Sequence, residues 1–220
     1  MQLDATYLPV LSRLFTGLSA RRRKQGLERF KLIVSSIIIP VRPLSATSLS
    51  KLLSLPRNII DCQLSLLHSV LSVPQSVNAP VRLFHLSFRD FLVDAERHEG
   101  DDIWIDETTV YAEMVTGCIN VMCGFLKEDM CGLRSWKGEA SNIGRGAIGS
   151  YMPEEVEYVC LYWTFHVEEA NVNSSADDVL AFLNDHFLHW AEALALMRRT
   201  VEAITDIHRL LGTLRVCYIS

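Results

Sequence analysis

The stretch that most restricts the fold is Val81–Val93, VRLFHLSFRDFLV, because it changes period partway along. Val81, Leu83 and His85 alternate with Arg82 and Phe84, as in a strand. Behind Ser87, Phe88, Phe91 and Leu92 then recur at helical spacing. His85 stands at the handover. An imidazole at a strand end, beside the free backbone N–H groups of a helix start, can donate to an anion that the helix terminus also attracts. A buried histidine bonded to a carbonyl is the plainer reading, and the local pattern leaves both open.

Most other apolar residues follow the helical period. Tyr7, Leu8, Val10, Leu11, Leu14 and Phe15 predict a short first helix, with Pro9 expected in its first turn. A second helix is expected over about 22–38, with Leu27, Phe30, Val34, Ile37 and Ile38 on one face, stopped by Pro40 and Pro43. Ser45 is a candidate N-cap for a helix carrying Leu49, Leu52 and Leu53, and Pro56 suits the start of the next, expected to reach Leu71. These two short helices, with a hairpin formed by Leu71–Val73 and Val81–Phe84, predict a winged helix-turn-helix over residues 1–93.

The charge distribution supports a division of the chain. Residues 1–92 hold 12 Lys and Arg against 4 Asp and Glu, a net +8; residues 93–220 hold 9 against 22, a net −13. The charged stretch 94–102 is the expected linker. Residues 103–220 then predict an antiparallel helical bundle. Trp104 and Ile105 open it, Asp106 caps a helix of Val110, Met114, Cys118, Val121, Met122 and Phe125, and Gly132–Ser150 reads as a loop. Pro153 opens a helix with Val156, Val159, Cys160, Trp163 and Val167 on its buried face. Ser174 or Ser175 caps another with Val179, Leu180, Phe182 and Leu183 on its apolar side, and helical periodicity resumes through Leu188, Trp190, Ala191, Leu194 and Met197. A last one follows through Val201, Ile204, Ile207, Leu210 and Leu211.

Candidate chemistry is sparse. The six cysteines lack C-x-x-C spacing and fit free core thiols in a reducing, cytoplasmic setting. No apolar run is long enough to cross a bilayer. His186 and His189 are three apart on a helix, but no HExxH motif or close cysteine pair joins them, so packing is preferred over metal binding. No nucleophile elbow or P-loop occurs, and the paired acids Glu154/Glu155, Glu168/Glu169 and Asp177/Asp178 read as helix-terminal or solvated charge. No catalytic residue is assigned. The run Arg21-Arg22-Arg23-Lys24 and the net +8 hint at nucleic acid, yet the presumed recognition helix from Arg57 carries only Arg57 as a base-reading cation, which argues against it.

The segments YLPVL, PLSATSLSKLL, LLHSVLSVP, VRLFHLSFRDFLVD, the W-x-D helix start at Trp104–Asp106 and FLNDHFLHWAEALALM occur in an order that resembles the region after the nucleotide-binding core in fungal NACHT-type STAND proteins. These are NOD-like receptors that include vegetative-incompatibility proteins, often with WD40 repeats further on. HLSFRDFL and HFLHWAEAL are the most specific parts. The resemblance implies a winged-helix unit followed by a helical domain. It also implies that the family's H-x-S-F histidine, His85 here, reaches the β-phosphate of ADP and holds a closed, inactive state. The P-loop, the acidic Mg²⁺ segment and the sensor arginine of the family are not in this stretch, so ADP or ATP binding is implied only together with a nucleotide-binding lobe. The chain is expected to be a fragment of such a receptor: a non-catalytic regulatory module whose partners are that lobe and downstream sensor repeats, with oligomerisation in the full-length receptor. The alternative is a winged-helix nucleic-acid binder with a helical dimerisation domain.

Overall fold

The computed structural model describes residues 2–94, 96, 102–130, 152–170 and 176–219. Within them the protein is mainly helical with one small two-stranded antiparallel sheet. It forms two compact units, residues 1–110 and 111–220, so the division falls after Val110 and not in the charged stretch. Most of 94–102, the 132–150 loop, Cys131 and the candidate caps Ser174 and Ser175 lie outside the described residues.

The first unit opens with α1 (Gln2–Phe15) and α2 (Ala20–Ile38). Pro9 lies inside α1, not in its first turn, so one intrahelical hydrogen bond is lost at mid-helix. Gly17, at φ 77°, supplies the left-handed residue between the two helices. Phe30, Ile33, Val34 and Ile38 are buried on α2, and the buried Ser35 and Ser36 hydroxyls donate back to the carbonyls of Leu32 and Ile33.

The helices α3 (Ala46–Leu52) and α4 (Arg57–Leu66) follow. Ser45 caps α3, its hydroxyl accepting from the Ser48 N–H at 3.1 Å. α3 ends in a Schellman turn: Ser54 takes φ 51°, its N–H donates to the Lys51 carbonyl, and the Leu55 N–H donates to that of Ser50. α4 stops at Leu66, five residues short of the expected end, because Leu71 is needed in the sheet. Tight bonds from Leu67 to Leu64 and from Val70 and Leu71 to Leu67 turn the chain. There β1 (Leu71–Ser72) pairs with β2 (Arg82–Leu83), Leu71 opposite Leu83 and Ser72 opposite Arg82. Ser45 makes an additional antiparallel bridge to Pro80, with the Val81 N–H donating to the Leu44 carbonyl.

Helix α5 (Leu86–Val93) packs on α1 through Phe88 and Phe91, whose rings lie 5.1 and 5.3 Å from that of Tyr7. Ile105 belongs with this unit: it is buried, and its N–H donates to the Leu92 carbonyl at 2.8 Å. Asp106 caps α6 (Glu107–Phe125), accepting from the Thr108 N–H and the Thr109 hydroxyl.

In the second unit α7 (Glu154–Glu169) is the central element, buried on more than one face: Val156, Val159, Cys160, Trp163 and Val167, and also Tyr158, Thr164 and His166. Glu155 stands in the first turn of α7, as expected of a helix-terminal charge, and is buried there. α8 (Ala176–Leu196) and α9 (Thr200–Ile219) pack against α7 and each other. Trp163 meets Trp190 edge-on at 5.5 Å, and the Trp190 indole donates to the Cys160 carbonyl, which would otherwise be shared only within α7.

α9 buries only part of the face the apolar period selects. Leu210 is buried and Ile207 half-buried, but Val201, Ile204 and Leu211 are exposed, and Asp206 faces inward. The Thr164 hydroxyl donates to Asp206 Oδ1 at 2.9 Å, and Arg209 bonds both Asp206 and Glu168. This polar cluster fixes the rotation of α9 about its axis. Leu188 on α8 is likewise exposed, at 76%.

Candidate functional site

His85 is the N-cap residue of α5, in extended backbone at φ −139°, ψ 133°. Two sets of contacts hold its backbone in place. On the strand side the Phe84 N–H donates to the Val70 carbonyl at 3.1 Å. On the helix side the Phe88 N–H returns to the His85 carbonyl, Phe88 and Phe91 are buried against Tyr7, and the Tyr7 and Ser87 hydroxyls bond at 2.8 Å. Arg89 pairs with Glu107 on the following helix.

The imidazole itself is exposed, and among the described residues nothing bonds it. It makes no cap bond to the first turn of α5, and that turn carries no acidic residue. Phe84 and Leu86 on either side are also exposed, Leu86 at 75%. The junction is therefore a rigid backbone carrying an uncommitted donor. Such a group can meet an anion or a partner's carbonyl, but with one hydrogen bond to offer it does not hold a nucleotide by itself. The sequence pattern located His85; it did not locate Tyr7 and Ser87 as the pair that braces it. Their hydroxyls are 80 residues apart, and only the packing of α1 on α5 brings them together.

The face that would read DNA is poorly equipped for it. Arg57 is committed, its Nε bonding Asp61 at 2.8 Å and its Nη1 the Thr47 hydroxyl at 2.6 Å. The exposed side of α4 carries Asn58, Asp61, Cys62, Ser65 and Leu66, and the hairpin loop 73–80 contains no Lys or Arg. Arg21, Arg22, Arg23 and Lys24 are exposed at the start of α2, where Arg23 lies 3.7 Å from Asp102.

In the second unit the most perturbed group is His166. It is fully buried among the rings of Tyr111, Tyr158 and Phe165, and its Nε2 lies 2.8 Å from the Tyr158 hydroxyl. Loss of hydration pushes its pKa down to about 4. Burial also raises the pKa of Asp206, a shift that the Thr164 bond and Arg209 partly oppose, and of the Cys118 and Cys160 thiols. Cys123, expected in the core, is exposed. The shifts of the buried groups follow from burial in the packed core, and they read as structural.

His186 and His189 do come together on α8, Nδ1 to Nδ1 at 3.4 Å. Among the described residues no group of three or more His, Cys, Asp or Glu side chains is placed to hold a metal ion, and no helix is long and apolar enough to cross a membrane. Compared with known proteins, the chain matches no family model, no curated protein and no solved structure.

Proposed function

We propose that this chain is the regulatory, non-catalytic module of a NACHT-type receptor, coupling the nucleotide state of a partner ATPase lobe to sensor repeats in the cytoplasm. The observation that carries the reading is His85: an exposed imidazole without a partner among the described residues, on a backbone braced by the hairpin on one side and by Tyr7, Phe88 and Phe91 on the other. The order of elements in the first unit supports it. A helix, a bridge at Ser45, two short helices joined by a tight turn and a hairpin follow one another in the order expected for a winged helix. In this reading His85 donates to the diphosphate of ADP bound in the partner lobe. Losing that one contact shifts a two-state hinge toward its open form without any bond being made or broken.

The test is His85→Ala in this chain joined to a nucleotide-binding lobe, with ADP release followed by a fluorescent analogue. Release should quicken by about tenfold, the effect of one charge-assisted hydrogen bond. An unchanged rate would remove the proposed role. Because the side chain is exposed, the substitution should leave folding intact.

The basic run at the start of α2 favours a second reading, a winged-helix nucleic-acid binder with a helical dimerisation domain. It requires binding to random duplex that weakens steeply with salt as counterions are released. The committed Arg57 and the uncharged hairpin loop make it the weaker of the two.

A further inference from the structure

We propose that His186 and His189 form a two-histidine chelate on α8 for a divalent transition metal of the zinc class. The distance supports this. Zinc–nitrogen bonds are about 2.0–2.1 Å, so two nitrogens on a tetrahedral metal stand about 3.3–3.4 Å apart, and the two Nδ1 atoms are 3.4 Å apart. The rings are held where they are. His186 stacks on Phe182 with centroids 5.7 Å apart and planes within 17°, and His189 lies against His186 at 5.5 Å. Both are half-buried, so a metal can reach them from solvent.

The surroundings favour a cation. Between Ala176 and Leu196 α8 carries Asp177, Asp178, Asp185 and Glu192 and no Lys or Arg, so the local potential draws divalent cations toward this helix. Without metal, one Nδ1–H donates to the other Nδ1. Binding moves that proton to Nε2 of the same ring, so both imidazoles coordinate in the neutral form and no proton is released. Among the described residues no third side chain joins the pair, so two tetrahedral positions fall to water and the site is open and exchangeable.

The experiment uses the full chain, ¹⁵N-labelled and metal-free in a non-thiol reductant at about pH 7.5, titrated with zinc chloride. Long-range ¹H–¹⁵N spectra of the imidazoles are recorded at each step. The Nδ1 resonances of His186 and His189 should move together, saturate at one equivalent and return on adding EDTA. His186→Ala and His189→Ala should each weaken binding by at least about tenfold, since even outer-shell losses cost that much, while His68→Ala should not. If the two resonances stay put in millimolar zinc, or if zinc binds equally well to both variants through exposed thiols such as Cys62 and Cys123, the proposal fails.

Discussion

Acidification should destabilise this protein through His166 before most carboxylates protonate. The ring is neutral in the fold because its charged form would be stripped of water among Tyr111, Tyr158 and Phe165. Its Nε2 has the Tyr158 hydroxyl, while among the described residues its Nδ1 has no partner. With a folded pKa of about 4 against 6.5 in the open chain, the unfolded state takes up the proton first. The associated stability is therefore fully present above pH 6.5 and falls as pH drops toward 4. Linkage gives a loss of about 2 kcal/mol by pH 5 and about 3 kcal/mol by pH 4. Glu113 and Asp206, whose pKa values burial raises, act in the opposite sense: their neutral forms suit the fold, and their contribution is lost as pH rises. A comparison with His166→Gln cancels them, since both variants keep them. Urea unfolding at pH 7 and pH 5, followed by the fluorescence of the buried Trp163 and Trp190, should show a drop in the wild type about 2 kcal/mol larger than in the variant. Equal drops would refute the assignment of the acid sensitivity to this ring.

Two further outcomes test the packing. On α9, Val201→Ser and Ile204→Ser should change stability by less than about 0.5 kcal/mol, whereas Leu210→Ala should cost about 2–5 kcal/mol; thermal melts reporting the reverse would mean that the helix is rotated by roughly half a turn. A thiol reagent should label Cys62 in the native protein and leave Cys118 and Cys160 unmodified until denaturant is added, because both are buried and their thiolates are disfavoured. Mass spectrometry of the labelled peptides distinguishes the sites, and early labelling of Cys160 would contradict the Trp163–Trp190 core built around it.

Several features needed nothing beyond the sequence. Ser45 before an apolar period, Pro56 before Arg57, and Asp106 before Glu107 mark helix starts because capping and proline geometry act within four residues. The change from alternation to helical spacing at His85 located the strand–helix junction for the same reason: both periods are local properties of the backbone. The buried face of α2, Phe30, Val34 and Ile38, was equally legible.

Tertiary structure decided what depends on distant partners. α4 ends at Leu66 because Leu71 pairs across the hairpin with Leu83, a competition no helical period reveals. Ile105 joins the first unit through the Leu92 carbonyl. The orientation of α9 was beyond the sequence, since Val201, Ile204 and Leu211 make a convincing apolar stripe that the structure leaves in water. Thr164, Asp206, Arg209 and Glu168 bond in a cluster spanning α7 and α9, and the partners that Thr164 and Arg209 give Asp206 Oδ1 hold that side chain inward while three aliphatic side chains stay in water. Periodicity shows that a helix has an apolar side; which side it buries depends on the polar groups that the neighbouring helix brings to meet it.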